Sequence, residues 1–445
     1  MSAVRLICRQ IARFEWLILL LFFPVILFLT PENAAILLIF PILWLIRWVG
    51  TGYIIPPTPV NWAIYLLLLM GIVSLFATFD LDNSLPMVGG LIFGISLYHA
   101  LTTFCGESRR HLYLVLAVLI LGGTAVTLLG LINPTLLDRL SFFHRLSDLI
   151  PAQLAQFPGD DNGFNANRIS GTLLWVVPIV WVLAVTRLAG DKETFPGWFS
   201  AVSALALLFL GLLMTLVLMF LFSRAAQVGF LVVMGLLYLL LAWKHRWLFV
   251  VGVVVVVAIG AFLAAADEYR LQVEQFVLMI SGETTGGSTA VESFAGRKQV
   301  WERAFYTLHD FPITGMGMNN FKEVLLIYYP PVAFRNVSDI THAHNELLIM
   351  GTDLGIPGMI AYIALMLGIS VMLFQSWRQA THDSEKILAV GFAASLLAFE
   401  LFGIFDGIGL GEKPALFFWL LMGLSAGLHR LVLSHTLPKS TILPK

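Results

Sequence analysis

The sequence predicts an all-α polytopic membrane protein, with about twelve transmembrane helices and a large, partly helical external loop. Three observations predict it. Hydrophobic residues make up 59% of the 445-residue chain and charged residues only 12%, against about 25% charged in a soluble globular protein. Mean hydropathy is +0.88. Uncharged apolar runs recur at about the 20-residue length that a helix needs to cross a hydrocarbon core about 30 Å thick. This composition excludes an ordinary soluble enzyme and a disordered chain. The formal net charge of −1 offers no bulk attraction to nucleic acid, so no nucleic-acid partner is expected. A single transmembrane domain over 1–445 is the expected organisation.

The twelve runs are 14–29, 33–49, 60–78, 85–105, 112–132, 169–187, 198–222, 225–243, 247–266, 356–374, 387–405 and 414–433. The first reads as a span and not as a cleaved signal peptide. A second span follows almost at once, and no small-residue cleavage site precedes Pro31. Orientation follows from the basic residues. With the N-terminus inside, the cytoplasmic ends hold Arg5, Arg9, Arg13, Arg47, Arg109, Arg110, Arg187, Lys192, Lys244, Arg246, Arg378, Lys386, Arg430, Lys439 and Lys445. The short external loops hold Lys413 alone. Both termini are therefore expected in the cytoplasm, in a multi-pass protein of a bacterial cytoplasmic membrane. Cys8 and Cys105 then both fall on the cytoplasmic side, so no external disulfide is expected.

Polar residues concentrate in two long external loops, 133–168 and 267–355. Because loops carry function more often than their share of length, the active region is expected at the external face. The cytoplasmic connectors are short and carry no phosphate-binding Gly-rich loop of the ATPase type. In the first loop Leu140, Phe143, Leu146 and Ile150 recur at helical spacing and read as an interfacial helix. The turn-rich stretch after it ends in Asn165, Asn167 and Arg168, at the entrance to a span.

Three further places stand out. Arg224 is the only charged residue from Gly197 to Trp243. A charge at the centre of a membrane helix costs about 2.5–3.5 kcal/mol on insertion scales, and less near an interface. Arg224 is either a snorkelling anchor or a cation held at the membrane surface to receive an anion. Arg297 heads GRKQVWERAFYTLHDFP, where Trp301, Ala304, Phe305 and Leu308 share its helical face. It extends a buried stripe, whereas Lys298 and Arg303 are expected to be solvated. A buried arginine needs an anion, so either a structural ion pair or a bound ligand is implied. In THAHNELLIMGTDLGIPGM, His342 and His344 open a short helix that Gly355, Pro357 and Gly358 break just before a span. Imidazole suits proton transfer near neutrality. A metal pair needs a third and a fourth ligand, and the sequence singles out neither, so no metal and no cofactor are expected. Glu346 and Asp353 are placed to orient His344, although charges at a helix start are the plainer reading of both.

At these residues the chain resembles the bacterial O-antigen ligase family, whose motifs are shared with O-antigen polymerases and O-oligosaccharyltransferases. The match is His344-Asn345, nine residues, then Gly355-Ile-Pro-Gly358. Before it stand GRKQVWERAFYTLHDFPITGMGMNNF and Ser223-Arg224-Ala225, the last with alanine where the family has glycine. The resemblance implies a membrane glycosyltransferase, metal-independent and inverting. Its donor is an undecaprenyl-diphosphate-linked glycan and its acceptor a glycolipid or glycan such as lipid A-core, within a lipopolysaccharide pathway. On the residues themselves, Arg224 and Arg297 would clamp the donor diphosphate through paired hydrogen bonds. His344 would take the acceptor hydroxyl proton. Arg168, His342, Asn345 and Glu346 are secondary candidates. Polymerase, protein O-oligosaccharyltransferase and small-anion transporter are the competing readings. Transporters usually show internal repeats and sites at the midplane, neither of which the sequence shows.

Overall fold

The computed structural model describes residues 3–26, 28–132, 165–188, 197–221, 223–244, 289–330 and 342–436, and among these every regular element is helical. In chain order the helices are α1 (Ala3–Arg13), α2 (Glu15–Ile26), α3 (Ile39–Thr51), α4 (Asn61–Ala77), α5 (Leu81–Cys105), α6 (Arg109–Leu131), α7 (Ala166–Leu174), α8 (Val177–Leu188), α9 (Gly197–Phe220), α10 (Arg224–Lys244), α11 (Thr289–Asp310), α12 (Phe321–Tyr328), α13 (Glu346–Gln379), α14 (Asp383–Gly403) and α15 (Ala415–Thr436). A 3₁₀ run, Pro31–Leu38, leads into α3.

Eight of these segments are long and apolar enough to cross a membrane. A ninth span results if α7 and α8, bent by 41°, count as one. The bend has a local cause. Pro178 has no N–H to offer the carbonyl of the preceding turn, so the two helices meet at Trp175–Val176 without continuing one ladder. Two of the twelve expected runs are short helices here. Run 14–29 yields only the 12-residue α2, and run 60–78 the 17-residue α4, which ends at Ala77 where Thr78 turns extended. Run 247–266 and the interfacial helix expected in 133–168 lie outside the described residues.

At the centre α5 packs along α15. Small residues let them close up: a Cβ on Gly94 would meet the Trp419 ring, and one on Gly427 would meet Cys105. Helices α4, α13, α14 and α6 surround this pair, and α8, α9 and α10 pack outside α14 and α6. Large apolar side chains are exposed along the outer faces, among them Leu205, Phe209 and Leu212 on α9 and Leu367, Val371 and Phe374 on α13. In water such a surface would be a liability. Around eight hydrophobic helices it is the lipid face of a membrane protein.

Helix α5 also serves as a ruler. Asn320, buried at the start of α12, donates from Nδ2 to Thr78 Oγ1 and Ser84 Oγ at 2.8 and 2.5 Å. This ties the 311–320 turn to the N-terminal end of α5. Thr103 and Gly106, at the other end of α5, adjoin α1, α3 and Arg430 of α15. At 1.5 Å per residue the two ends stand about 30 Å apart.

Candidate active site

The two imidazoles sit on a short, strained approach to α13. His344 has a positive φ of 47°, which is uncommon for a residue other than glycine and clusters at functional sites. The following residue explains how this is held. Asn345 caps α13 by accepting the Leu348 N–H at 3.0 Å, and its Nδ2 donates to the Ile404 carbonyl at 2.9 Å. Trp301 Nε1 on α11 donates to the His344 carbonyl at 3.3 Å. Backbone and side chain are thus fixed from three elements.

Downstream, Gly355 carries φ 71° and ψ 178° and divides α13 into a short helix and a long one. A Cβ at this position would lie 2.2 Å from the Ile313 carbonyl oxygen. The 311–317 turn docks into the break, with the Ile356 N–H donating to the Pro312 carbonyl at 2.7 Å and the Met316 N–H to the Thr352 carbonyl at 2.8 Å. The Gly-Ile-Pro-Gly element is therefore the seat on which the chain after α11 rests, which fixes α11 and its Arg297 relative to His344.

The structure adds a carboxylate that the sequence reading did not single out. Asp406, in the loop between α14 and α15, is only 3% exposed, and its Oδ1 faces both imidazoles. His344 Nδ1 lies 3.4 Å from it and His342 Nε2 3.5 Å. His342 Nδ1 accepts the His344 backbone N–H at 3.1 Å. A carboxylate accepts only, so the His344 proton belongs on Nδ1 and Nε2 keeps its lone pair. His344 is 23% exposed, and among the described residues its Nε2 has no partner. His342 has both nitrogens engaged. The 3.4 Å separation is long for a hydrogen bond.

The electrostatics follow from this geometry. Burial would raise the Asp406 carboxyl, but the hydrogen bond from His344 and the positive charge of Arg168 oppose it. The group is held well below the usual carboxylate range. Burial, with Arg168 nearby, pushes His342 well below its usual 6.5 and keeps it neutral at pH 7, against the pull of Asp406. Burial and the like charge of Arg224 lower Arg297, while Asp406 opposes them. Arg297 therefore feels both Asp406 and Arg224, although the three come from α11, the 404–414 loop and α10.

The remaining candidates frame that loop. Arg168 on α7 donates from Nη1 to the Gly407 carbonyl at 3.0 Å and pairs with Glu412. Burial pushes Glu412 upward in spite of that pair. Glu346 is the first residue of α13, as a helix-start charge would be, but its buried Oε2 accepts the Ile408 N–H at 2.8 Å. It braces the loop that carries Asp406. Asp353 does not sit at a helix start: it is buried in the second turn and takes a backbone hydrogen bond from Asn319. Two expectations for α11 also change. Phe305 is 60% exposed, and the buried stripe runs through Val300, Ala304 and Thr307 instead. Arg303 is not freely solvated but pairs with Glu302 at 2.9 Å and lies against the Tyr306 ring.

A third donor for a cation does exist, contrary to expectation. His342, His344 and Asp406 each offer one ligand atom, all within 4.8 Å of one another. The charge arrangement favours an anion at this place, because Arg168 and Arg297 act on the trio and Arg224 acts on Arg297.

Asp406 and Glu412 escaped sequence reasoning, although a signal was present. In FDGIGLGEKP they are two of the few charged residues between Lys386 and Arg430, set among glycines between two spans. Comparison with curated proteins returns no match. A family model described as O-antigen ligase matches residues 209–363, the stretch that holds Arg224, Arg297, both imidazoles and the Gly355 break. Over this segment, about a third of the chain, the protein is similar to the O-antigen ligase family, which supports a function of the membrane glycan ligase or polymerase type.

Proposed function

We propose that the protein transfers a glycan from an undecaprenyl-diphosphate donor to an acceptor such as lipid A-core, at the external face of the cytoplasmic membrane, with inversion and without a metal. The observation that carries this reading is the His344–Asp406 contact within the electrostatic reach of Arg297, itself beside Arg224. The donor diphosphate is an anion at headgroup level attached to an apolar tail. Guanidinium groups grip its oxygens two at a time and stay charged.

The acceptor hydroxyl oxygen attacks the anomeric carbon from the side opposite the diphosphate. The anomeric C–O bond breaks, its electron pair leaves with the diphosphate, and the hydroxyl proton passes to His344 Nε2. Asp406 holds the ring in the tautomer that exposes that lone pair and stabilises the imidazolium that forms. Charge grows on the leaving diphosphate as the bond breaks, so fixed cations there favour the transition state over the ground state. The diphosphate is already an activated leaving group, so no ATP is needed. His342, with both nitrogens committed, positions His344, and Arg168 with Glu346 holds the Asp406 loop. The basic residues at the opposite end of the bundle support a cytoplasmic location for both termini.

Substitution of His344 by Ala tests the reading. General-base catalysis contributes about 10²–10⁴-fold, so transfer in cells is expected to fall by that factor with the membrane level of the protein unchanged. Normal transfer removes the base assignment. Purified protein given lipid-linked glycan with either lipid A-core or a second lipid-linked glycan as acceptor separates ligase from polymerase.

A further inference from the structure

A second cationic site lies at the far end of the bundle. Arg5, Arg9 and Arg13 of α1, Arg47 of α3 and Arg430 of α15 line a cavity of about 320 Å³. Two of the five are neutralised. Arg47 makes a buried two-pronged pair with Glu15, at 2.8 Å from Nε and 2.5 Å from Nη2. Arg13 pairs with Glu107 at 3.0 Å. Among the described residues Arg5, Arg9 and Arg430 have no carboxylate partner, and Arg430 Nη1 is enclosed with no hydrogen-bond partner. The cavity therefore carries an excess of three positive charges and an unsatisfied donor. A buried donor of this kind is costly unless something accepts from it.

Helix α1 says what kind of ligand fits. Arg5, Arg9 and Arg13 recur every fourth residue and share one face, which lines the cavity. Val4 and Ile7 on other faces are 63% and 59% exposed. A helix with basic residues on one side and bare apolar residues on the other lies in the plane of a membrane interface. It is seated firmly: a Cβ on Gly50 of α3 would meet the Arg9 backbone nitrogen at 2.6 Å. Arginines and exposed apolar residues side by side match a molecule that joins an anionic phosphate to acyl chains.

We propose that this cavity binds the phosphodiester headgroup of an anionic phospholipid, in the leaflet opposite the imidazoles. Guanidinium groups of Arg5, Arg9 and Arg430 take the phosphate oxygens, and the acyl chains leave along the apolar side of α1. Basic pockets between membrane helices bind such headgroups in this way. The site is independent of the glycan-transfer reading, since it shares no residue with it.

Native mass spectrometry of the full-length protein in neutral detergent tests this, with phosphatidylglycerol and phosphatidylcholine as titrants and inorganic phosphate as competitor. The expected result is at least tenfold tighter binding of phosphatidylglycerol than of phosphatidylcholine. Arg5→Ala with Arg9→Ala, both exposed positions, is expected to weaken phosphatidylglycerol about 10- to 30-fold and leave phosphatidylcholine unchanged. Arg430→Gln is expected to weaken it as well, and Arg430→Lys to restore part of the loss. Arg110→Ala, a basic residue outside the cavity, is expected to bind as the unaltered protein does. Equal binding by the Arg5→Ala/Arg9→Ala variant overturns the proposal. So does displacement of the lipid by inorganic phosphate at matched concentration, which would make this a site for a soluble anion.

Discussion

Arginines gather at both ends of this bundle, but at only one of them, among the described residues, does a partly exposed imidazole beside a buried carboxylate keep an uncommitted nitrogen. At one end Arg168 and Arg297, the latter beside Arg224, act on Asp406 and two imidazoles, one of which keeps a nitrogen uncommitted among the described residues. At the other, the carboxylates that meet Arg5, Arg9, Arg13, Arg47 and Arg430 among the described residues are Glu15 and Glu107, both already paired, and the nearby His111 has both nitrogens engaged, Nε2 at 3.5 Å from Arg13 and Nδ1 at 3.0 Å from the Phe104 carbonyl. On the two readings proposed above, clustered cations suffice to hold an anion. Chemistry on that anion needs a proton acceptor held in one tautomer at its edge.

Each end can be broken separately. The largest effect is expected at Arg47. Removing one partner of a buried pair leaves an uncompensated charge and costs about 3–5 kcal/mol. Arg47→Ala is therefore expected to lower the melting temperature sharply and deplete the protein from membranes, read by thermal unfolding in detergent and by immunoblot. At the imidazole end, Arg224→Lys and Arg297→Lys keep the charge but lose the planar fork. A charge-assisted hydrogen bond contributes about 1.5–3 kcal/mol, so transfer is expected to fall about 10- to 100-fold in each. Undiminished transfer in both would reduce these arginines to anchors.

A smaller effect is expected from Gly355→Ala. Its positive φ and the 2.2 Å approach to the Ile313 carbonyl imply a loss of about 1–3 kcal/mol, seen as a lower melting temperature together with weaker transfer. Asp406→Asn gives a pH signature. The folded Asp406 carboxyl is depressed from 3.8, so the stability it contributes is fully present above that value and is lost as pH falls through the lower folded value. The melting-temperature gap between the Asp406→Asn variant and the unaltered protein is expected to be widest at neutral pH and to narrow below about pH 4. A gap independent of pH contradicts the assignment. The smallest effect is expected from EDTA, which should leave transfer unchanged if His342, His344 and Asp406 work as a hydrogen-bonded trio.

Much of this was legible in the chain because membranes punish exceptions. Arg224 stands alone across two apolar runs, and Arg297 lies on a helix whose apolar residues Trp301, Ala304 and Leu308 recur at i+4, i+7 and i+11. Charges in such settings announce themselves, as do His344-Asn345 and the glycines that break α13. Asp406 did not, because its contact with His344 joins residues 62 apart across a loop. No periodicity encodes a pairing of that kind. Glu346 reads as a helix-start charge and is the first residue of α13, but only the fold shows that its Oε2 accepts the Ile408 N–H of the 404–414 loop. Phe305 has the spacing of a core residue, but α11 is rotated so that Val300, Ala304 and Thr307 face inward. Spacing tells which residues share a face, and only packing tells which face is buried.

The most direct test of the central claim separates holding the donor from reacting with it. Donor binding and single-turnover transfer would be measured on the same purified protein in nanodiscs, with lipid-linked glycan. The account predicts that His344→Ala binds donor within about twofold of the unaltered protein while transfer falls about 10²–10⁴-fold, and that Arg297→Lys weakens donor binding itself. A His344→Ala variant that transfers at full rate, or that loses transfer only because it no longer binds donor, would contradict it.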